Sequence, residues 1–214
     1  MIKFLYHIKK AAKNALNSNF KIKKTIHHHQ RKMKLVFKNC KGLNNTIRVG
    51  ENCNIDGLSI IIKGNNNLIE IGQNVRFSKV SSIWLEGDNL ITKIGDNCTF
   101  EGVHLANAEN NIRLIIGADC MFSYGIEIRT SDSHSIIDNS LERQRLNYAK
   151  DVIIGDHCWV GSNVTILKGV DIKTNTVIAT ASVVTKRFNH GNCIIAGNPA
   201  VVKKTDISWS RERL

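Results

Sequence analysis

The chain has 214 residues, 42% of them apolar and only one of them proline, which is the composition of a globular protein and excludes a disordered one. No stretch approaches the roughly 18 consecutive apolar residues of a membrane span, and the start MIKFLYHIKK lacks the continuous apolar core of about 7 to 15 residues of a signal peptide. Without such a signal we expect a cytoplasmic location. The 30 basic and 18 acidic residues give a formal net charge of +12.

The positive charge is confined to the beginning of the chain. Residues 1–41 contain eleven lysines, one arginine and no acidic residue, so the rest of the chain is neutral. We predict a basic, partly helical N-terminal arm over residues 1–46, because five apolar side chains near its start share one helical face: Leu5, Ile8, Ala12, Ala15 and Leu16. Such an arm suits an anionic surface at the inner membrane face, an acidic polymer, or packing on its own domain or a neighbouring subunit. Nucleic acid is not expected, since no recognised motif accompanies the charge.

Five copies of a short motif come next. Each has an aliphatic residue, a glycine, two further residues and then Cys or Val: VGENC, IGQNV, IGDNC, IGADC and IGDHC. The steps between their glycines are 22, 23, 22 and 38 residues, and from residue 154 to 189 an aliphatic residue falls on every sixth position. This pattern is typical of a β-solenoid, in which short strands point one aliphatic side chain inward and stacked coils share a core. We predict that the solenoid spans residues 47–202, followed by a tail at 203–214.

Four cysteines occupy one position of this repeat, three residues after its glycine: Cys53, Cys98, Cys120 and Cys158. The second copy has Val75 there, which marks an inward position for a small side chain. No CxxC pair occurs, so we interpret the cysteines as reduced packing residues and predict neither a disulfide nor a metal site.

One interruption breaks the repeat, between Gly117 and Gly155. The step there is 38 residues, and the excess is the polar segment RTSDSHSIIDNSLERQRLNYAK at residues 129–150. Because this segment has no place in the core, it must project from the solenoid, and long loops on rigid scaffolds often carry function. It contains one imidazole, His134, two residues after Asp132.

These segments resemble a known family. DVIIGDHCWVGSNVTILKGVDI, IIAGNPAVVKK and EIRTSDSHSIID are similar to sequences of the hexapeptide-repeat acyltransferases, most of all to bacterial capsular polysaccharide and polysialic acid O-acetyltransferases. The similarity covers about residues 47–209, and Ser135 departs from the proline that relatives commonly have after the histidine. It implies an all-β, left-handed parallel β-helix, acetyl-CoA as co-substrate, and a homotrimer with its sites between neighbouring subunits.

The chemistry of acetyl transfer to a hydroxyl needs a base, since a free alcohol is a poor nucleophile near neutral pH. We predict His134 as this base, held by Asp132 or by a backbone carbonyl. The family pattern places Trp159, in DHCWVG, near the thioester, where its indole would position the substrates and support the oxyanion. No covalent acyl-enzyme is expected, because no cysteine or serine stands in a nucleophile motif.

Further residues are assigned to binding. By the resemblance, the small residues Ala179 and Thr180 let acetyl-CoA approach the coils, and three lysines are candidates for its phosphates: Lys168, Lys186 and Lys203. The acceptor sugar is expected to contact residues in or beside the loop: Arg129, Glu142 and Arg143.

The sequence therefore predicts an acetyl-CoA-dependent O-acetyltransferase acting on a bacterial surface polysaccharide, such as polysialic acid or a lipopolysaccharide-type glycan. One alternative is an acetyltransferase for a small acceptor, either serine or a nucleotide-linked amino sugar. Another is a metal-dependent carbonic anhydrase on the same scaffold, although no two histidines recur one coil apart in equivalent positions. A third is a non-catalytic β-helix binding protein.

Overall fold

The computed structural model describes residues 20–27, 29–78, 80–140 and 142–213. This part of the chain contains 21 β-strands and no helix, and so nothing in it could cross a membrane as a helix. The strands wind into a parallel β-solenoid with three faces. The apolar helical face predicted at residues 5–16 lies outside the described residues.

The first face is a seven-stranded parallel sheet. Its strands are β1 (Phe20–Ile26), β3 (Gly42–Val49), β5 (Leu68–Ile71), β8 (Ile91–Ile94), β10 (Arg113–Ile116), β14 (Val152–Ile154) and β17 (Asp171–Ile172). The aliphatic residues that begin the five glycine motifs, and the equivalent residue of the next coil, form one buried column along this sheet: Val49, Ile71, Ile94, Ile116, Ile154 and Ile172. Burial of this column stabilises the stack, because a single coil cannot bury its own core.

The second and third faces share a twelve-stranded sheet, since its longest strands bend from one face to the next. The second face contains β2 (Lys32–Phe37), β4 (Asn54–Lys63), β6 (Arg76–Phe77), β9 (Thr99–Ala108), β11 (Met121–Arg129), β15 (Trp159–Val160), β18 (Thr176–Ile178) and β20 (Cys193–Gly197). The third face contains the distal halves of β2, β4, β9 and β11, with β7 (Ser82–Glu86), β16 (Thr165–Ile166) and β19 (Val183–Val184). Strand β21 (Ala200–Thr205) turns back antiparallel to β20 and closes the sheet. Inside, the rings of Phe77, Phe100 and Phe122 stack with centroids 4.3 and 4.7 Å apart.

The corner between the first and second faces is built from residues with positive φ. We call this set the corner ladder: Asn52, Asn74, Asn97, Asp119, His157, Asn175 and Asn192. Asparagine adopts this conformation more readily than most residues, and its amide bonds to the next coil, as from Asn74 Nδ2 to Asn97 Oδ1 at 3.1 Å. The repeat glycine lies two residues before each of the first five positions. Only glycine fits there because the coils approach closely, and a Cβ on Gly95 would lie 2.5 Å from the Ala118 nitrogen.

The cysteines of the repeat are buried, as their inward position predicts, and their thiols are free. Cys98 Sγ donates to the Gly117 carbonyl at 3.1 Å, and Cys120 Sγ donates to the Gly155 carbonyl at 3.2 Å. Burial also raises the pKa of the Cys53 thiol, which keeps this group protonated.

Residues 20–46, which we expected in the basic arm, form coils of the solenoid. Strand β1 pairs in parallel with β3, and β2 pairs with β4, so the solenoid extends at least to residue 20. The reason is visible in KMKLVF, where Lys32 and Lys34 alternate with the half-buried Met33 and Leu35. This period of two belongs to a strand with one face on the core.

Candidate active site

The interruption leaves the solenoid after β11 and returns to it at β14. Two short antiparallel strands within it, β12 (Ile137–Asp138) and β13 (Gln144–Arg145), form a hairpin that projects from the junction of the third and first faces. We call this junction the loop corner.

On one side, Glu109 of the preceding coil holds the loop at this corner. Its carboxylate accepts two hydrogen bonds from the Arg145 guanidinium, at 2.5 and 3.0 Å, and another from the Ser131 hydroxyl at 2.6 Å. A bidentate pair fixes geometry as well as contributing energy. Burial alone would raise the pKa of Glu109, but the bonds from Arg145 and Ser131 outweigh it and hold this pKa below its ordinary value.

On the other side, Lys168 of the following coil reaches back to the loop. Its ammonium group donates to the Asp132 carboxylate, and it donates to the Asn147 carbonyl at 3.0 Å. We expected Lys168 to bind the phosphates of acetyl-CoA, but in the structure two loop acceptors already engage it. The pKa of Asp132 is also lowered, since hydrogen bonds from Lys168 and Asn147 outweigh the opposing effect of burial.

Asn147 fixes the backbone around the predicted base. This buried amide donates to the His134 carbonyl at 2.7 Å and to Asp132 Oδ2 at 2.8 Å, while its own oxygen accepts from the Ile136 nitrogen at 2.7 Å. The segment from Asp132 to Ile136 is therefore pinned from within the loop. No motif or spacing in the sequence points to Asn147.

The imidazole of His134 is exposed to solvent. Its neighbour Ser133 has φ 66°, and the ring has no hydrogen-bond partner among the described residues. The expected orienting acceptor, Asp132, is bound instead by Lys168 and Asn147. The loop thus presents a solvent-exposed imidazole on a backbone held by hydrogen bonds. This suits a group that must contact a substrate hydroxyl.

Trp159 begins β15 on the second face, next to the corner ladder. The strands of the first face separate it from the loop corner, and no contact joins Trp159 to His134 within the described residues. The indole is 40% exposed, and its ring centroid lies 6.1 Å from that of Trp209 in the C-terminal tail. One chain therefore places the two predicted catalytic residues at different corners of the coil.

The predicted acceptor-binding residues are not brought together. Arg129 lies on the third face, where its guanidinium pairs with Glu127. Glu142 and Arg143 are exposed at the tip of the loop hairpin, both with positive φ.

The remaining cofactor candidates lie in the last coils. Ala179 and Thr180 follow β18 at the corner between the second and third faces, where a Cβ on Gly161 would lie 2.7 Å from the Thr180 nitrogen. The Lys186 ammonium lies 5.9 Å from the centroid of the Phe188 ring, and Lys203 is exposed on β21. Among the described residues, no group of three or more histidine, cysteine or acidic side chains could hold a metal ion.

The ion pair at the loop base leads to a prediction about the loop itself. We expect Glu109→Gln to speed amide hydrogen exchange at Ile136 and Leu146 by about threefold to tenfold at neutral pH, because it breaks a bidentate, partly buried pair. Since the folded-state pKa of Glu109 is depressed, its stabilising contribution is complete above the ordinary glutamate pKa. It is lost as the pH falls through the depressed value, so acid should loosen the wild-type loop in the same way.

The matched control for this loop experiment is Glu101→Gln. It removes a comparable pair, 2.5 Å from Arg76, on the body of the solenoid. Equal exchange rates in the loops of the two variants would contradict the anchoring role of Glu109.

Comparison with known proteins gives likenesses over more than nine tenths of the chain. The solved structure of the polysialic-acid-specific acetyltransferase NeuO is 30% identical, with a TM-score of 0.66, over 92% of this chain and 91% of that one. The solved polysialic acid O-acetyltransferase OatWY is 31% identical, with a TM-score of 0.61, over 91% of this chain and 93% of that one. These likenesses confirm the predicted left-handed β-helix class.

Among curated proteins the matches are shorter. A polysialic acid O-acetyltransferase of Neisseria meningitidis is 39% identical over 95 residues, which are 44% of this chain and 43% of that protein. One of Escherichia coli O1:K1 is 40% identical over 93 residues, 44% of this chain and 30% of that protein. The chain thus spans less than half the length of these curated relatives. No family model matches the chain.

Proposed function

Because the chain belongs to the hexapeptide-repeat acyltransferase family, alongside the polysialic acid O-acetyltransferases, we propose that it transfers acetyl from acetyl-CoA to a hydroxyl of a bacterial surface polysaccharide. The observation that carries this proposal is the likeness to two such enzymes over more than nine tenths of the chain. Polysialic acid, the polymer in their names, is the first acceptor to consider here.

The proposed reaction is a direct transfer. The acceptor oxygen attacks the thioester carbonyl while His134 takes the hydroxyl proton, and a tetrahedral intermediate forms. Its collapse breaks the C–S bond, and the imidazolium returns the proton to the departing sulfur, which leaves as coenzyme A. The exposed ring of His134 on a pinned backbone supports this role. Trp159 is proposed to position the thioester and to offer its indole N–H to the oxyanion.

We further propose that the active protein is a homotrimer in which the loop of one subunit faces Trp159 of its neighbour. The separation of His134 from Trp159 within one chain supports this arrangement. Acetyl-CoA would then lie along the last coils, near Ala179 and Thr180, with Lys186 and Lys203 as its candidate phosphate contacts. The protein is proposed to act in the cytoplasm, with its basic N-terminal residues contacting the inner membrane face or the acidic polymer itself.

The test is coenzyme A release from acetyl-CoA with five acceptors in parallel: polysialic acid, a lipopolysaccharide-type glycan, a neutral polysaccharide, serine and a nucleotide-linked amino sugar. We expect turnover with polysialic acid or another acidic glycan, confirmed by acetyl ester on the recovered polymer. Turnover confined to serine or the amino sugar would replace the polysaccharide by a small acceptor. If none of the five acceptors supports coenzyme A release, the proposed function is contradicted.

A further inference from the structure

The C-terminal tail runs back along the corner ladder after β21. We define the tail as residues 206–213. The Ile207 nitrogen donates to the Asn192 carbonyl at 3.1 Å, and Asn175 Nδ2 donates to the Ile207 carbonyl at 3.0 Å. Further along, Arg211 Nε donates to Asp119 Oδ1 at 3.1 Å. The tail therefore crosses several coils in the direction opposite to the winding of the chain.

The ladder departs from asparagine at two of its seven positions, Asp119 and His157, and both contact the tail. The asparagines bond to neighbouring coils, and Asn175 also donates to a tail backbone carbonyl. At the two other positions the side chain has the chemistry that the tail needs: a carboxylate for Arg211 and an aromatic ring for Trp209.

His157 and Trp209 form the central contact. Their rings stack with centroids 4.3 Å apart and planes 11° apart, and Trp209 Nε1 donates to the His157 carbonyl at 2.8 Å. The two imidazole nitrogens lie 2.7 Å from Asp119 Oδ2 and 3.1 Å from the Trp209 carbonyl oxygen. Each ring nitrogen therefore faces an oxygen that can accept a hydrogen bond, one from the ladder and one from the tail.

Arg211 completes the attachment of the tail. Its guanidinium also donates to the carbonyls of Asn97 and Cys120, at 3.2 Å each. Hydrogen bonds from His157 and Arg211 hold the pKa of Asp119 below its ordinary value, although burial acts in the opposite direction. The carboxylate is thus the shared anchor of ladder and tail.

We propose that Trp209 is a positioning residue for Trp159. Met121 and Val177 are the register neighbours of Trp159 on the adjoining coils, and Trp209 packs beside its indole at 6.1 Å and 47°. Trp209 is only 9% exposed, whereas Trp159 is 40% exposed. The buried Trp209 therefore limits the orientations that the partly exposed indole of Trp159 can adopt. This inference rests on the proposed function, in which Trp159 contacts the reacting groups.

The experiment compares Trp209→Ala with Trp209→Phe, each in a Trp84→Phe background. In the alanine variant, Trp159 is then the sole remaining tryptophan. We expect Trp209→Ala to lower kcat about tenfold or more, with a smaller change in the KM for acetyl-CoA. The reason is that misplacing a group beside the reacting atoms lowers the rate of the chemical step more than it weakens substrate binding. The phenylalanine variant should retain kcat within about threefold, since its ring restores part of the wall.

Fluorescence provides a readout independent of turnover. In the Trp84→Phe background both variants keep Trp159 as the sole tryptophan. The Trp159 indole should gain mobility in Trp209→Ala, seen as lower anisotropy and easier quenching by iodide than in Trp209→Phe. Ser208→Ala is the matched control, because Ser208 lies in the same tail but bonds to Asn175, and it should leave kcat unchanged.

Two outcomes would overturn the inference: a folded Trp209→Ala protein with wild-type kcat, or an unchanged mobility of Trp159 in it. If Trp209→Ala does not fold, His157→Asn removes the stack but keeps a ladder residue, and the same loss of kcat is expected; wild-type kcat in this folded variant would equally overturn the inference. If the wild type turns over no acceptor, the proposed function fails, while the mobility of Trp159 still decides whether Trp209 positions it.

Discussion

Replacing His134 by alanine is expected to lower turnover on the acidic polysaccharide by about 10² or more, because general-base catalysis contributes about 10² to 10⁴ to such reactions. The ring is exposed and makes no hydrogen bond, ion pair or ring contact with a described residue, so its removal should leave the loop and the solenoid intact. The measurement is the initial rate of coenzyme A release at saturating acetyl-CoA. Melting temperatures of the two proteins should agree.

His190→Ala is the control for this loss. His190 is also exposed, near the last coil, and its carbonyl rather than its ring accepts the bond from Cys193. We expect wild-type turnover from this variant. Full activity in His134→Ala would contradict the mechanism and leave His134 as an ordinary loop residue.

Most of the solenoid could be predicted from sequence because its signal is local and repeated. Each inward aliphatic position recurs along the chain, as from Ile154 to Ile172, and the stacking that buries it follows from the period alone. The first coils were missed for a chemical reason. In residues 20–46 the outward positions carry lysines, so the segment has the charge of a basic arm although Lys32, Met33, Lys34 and Leu35 alternate as in a strand.

The candidate site was predicted less completely than the fold. The projecting loop and its imidazole follow from the interruption of the repeat, but the groups that hold the loop are distant in sequence. Arg145 binds Glu109 across 36 residues, and Lys168 binds Asp132 across the same separation. Neither periodicity nor a short motif encodes such pairs. Glu109 did carry one faint signal, because it stands where the two preceding coils have glycine, at Gly64 and Gly87.

The separation of His134 and Trp159 allows a second large effect to be predicted. If one subunit supplies the imidazole and its neighbour supplies the indole, two inactive proteins can complement each other. We expect His134→Ala and Trp159→Ala each to be inactive alone. Co-expressed in equal amounts and selected as mixed trimers, they should recover about one third of wild-type activity, since one of the three heterologous interfaces in each mixed trimer pairs an intact base with an intact indole.

The measurement is coenzyme A release by the co-expressed mixture, purified through two different affinity tags so that only mixed oligomers are assayed. Mixing the two variants after each has been purified as a stable oligomer is the control, and it should restore nothing unless subunits exchange. A site built within one chain predicts the opposite, because every subunit in the mixture then lacks one of the two residues. Among the residues that the structure describes, no contact joins Trp159 to the loop corner, and so recovery is the outcome that the geometry favours.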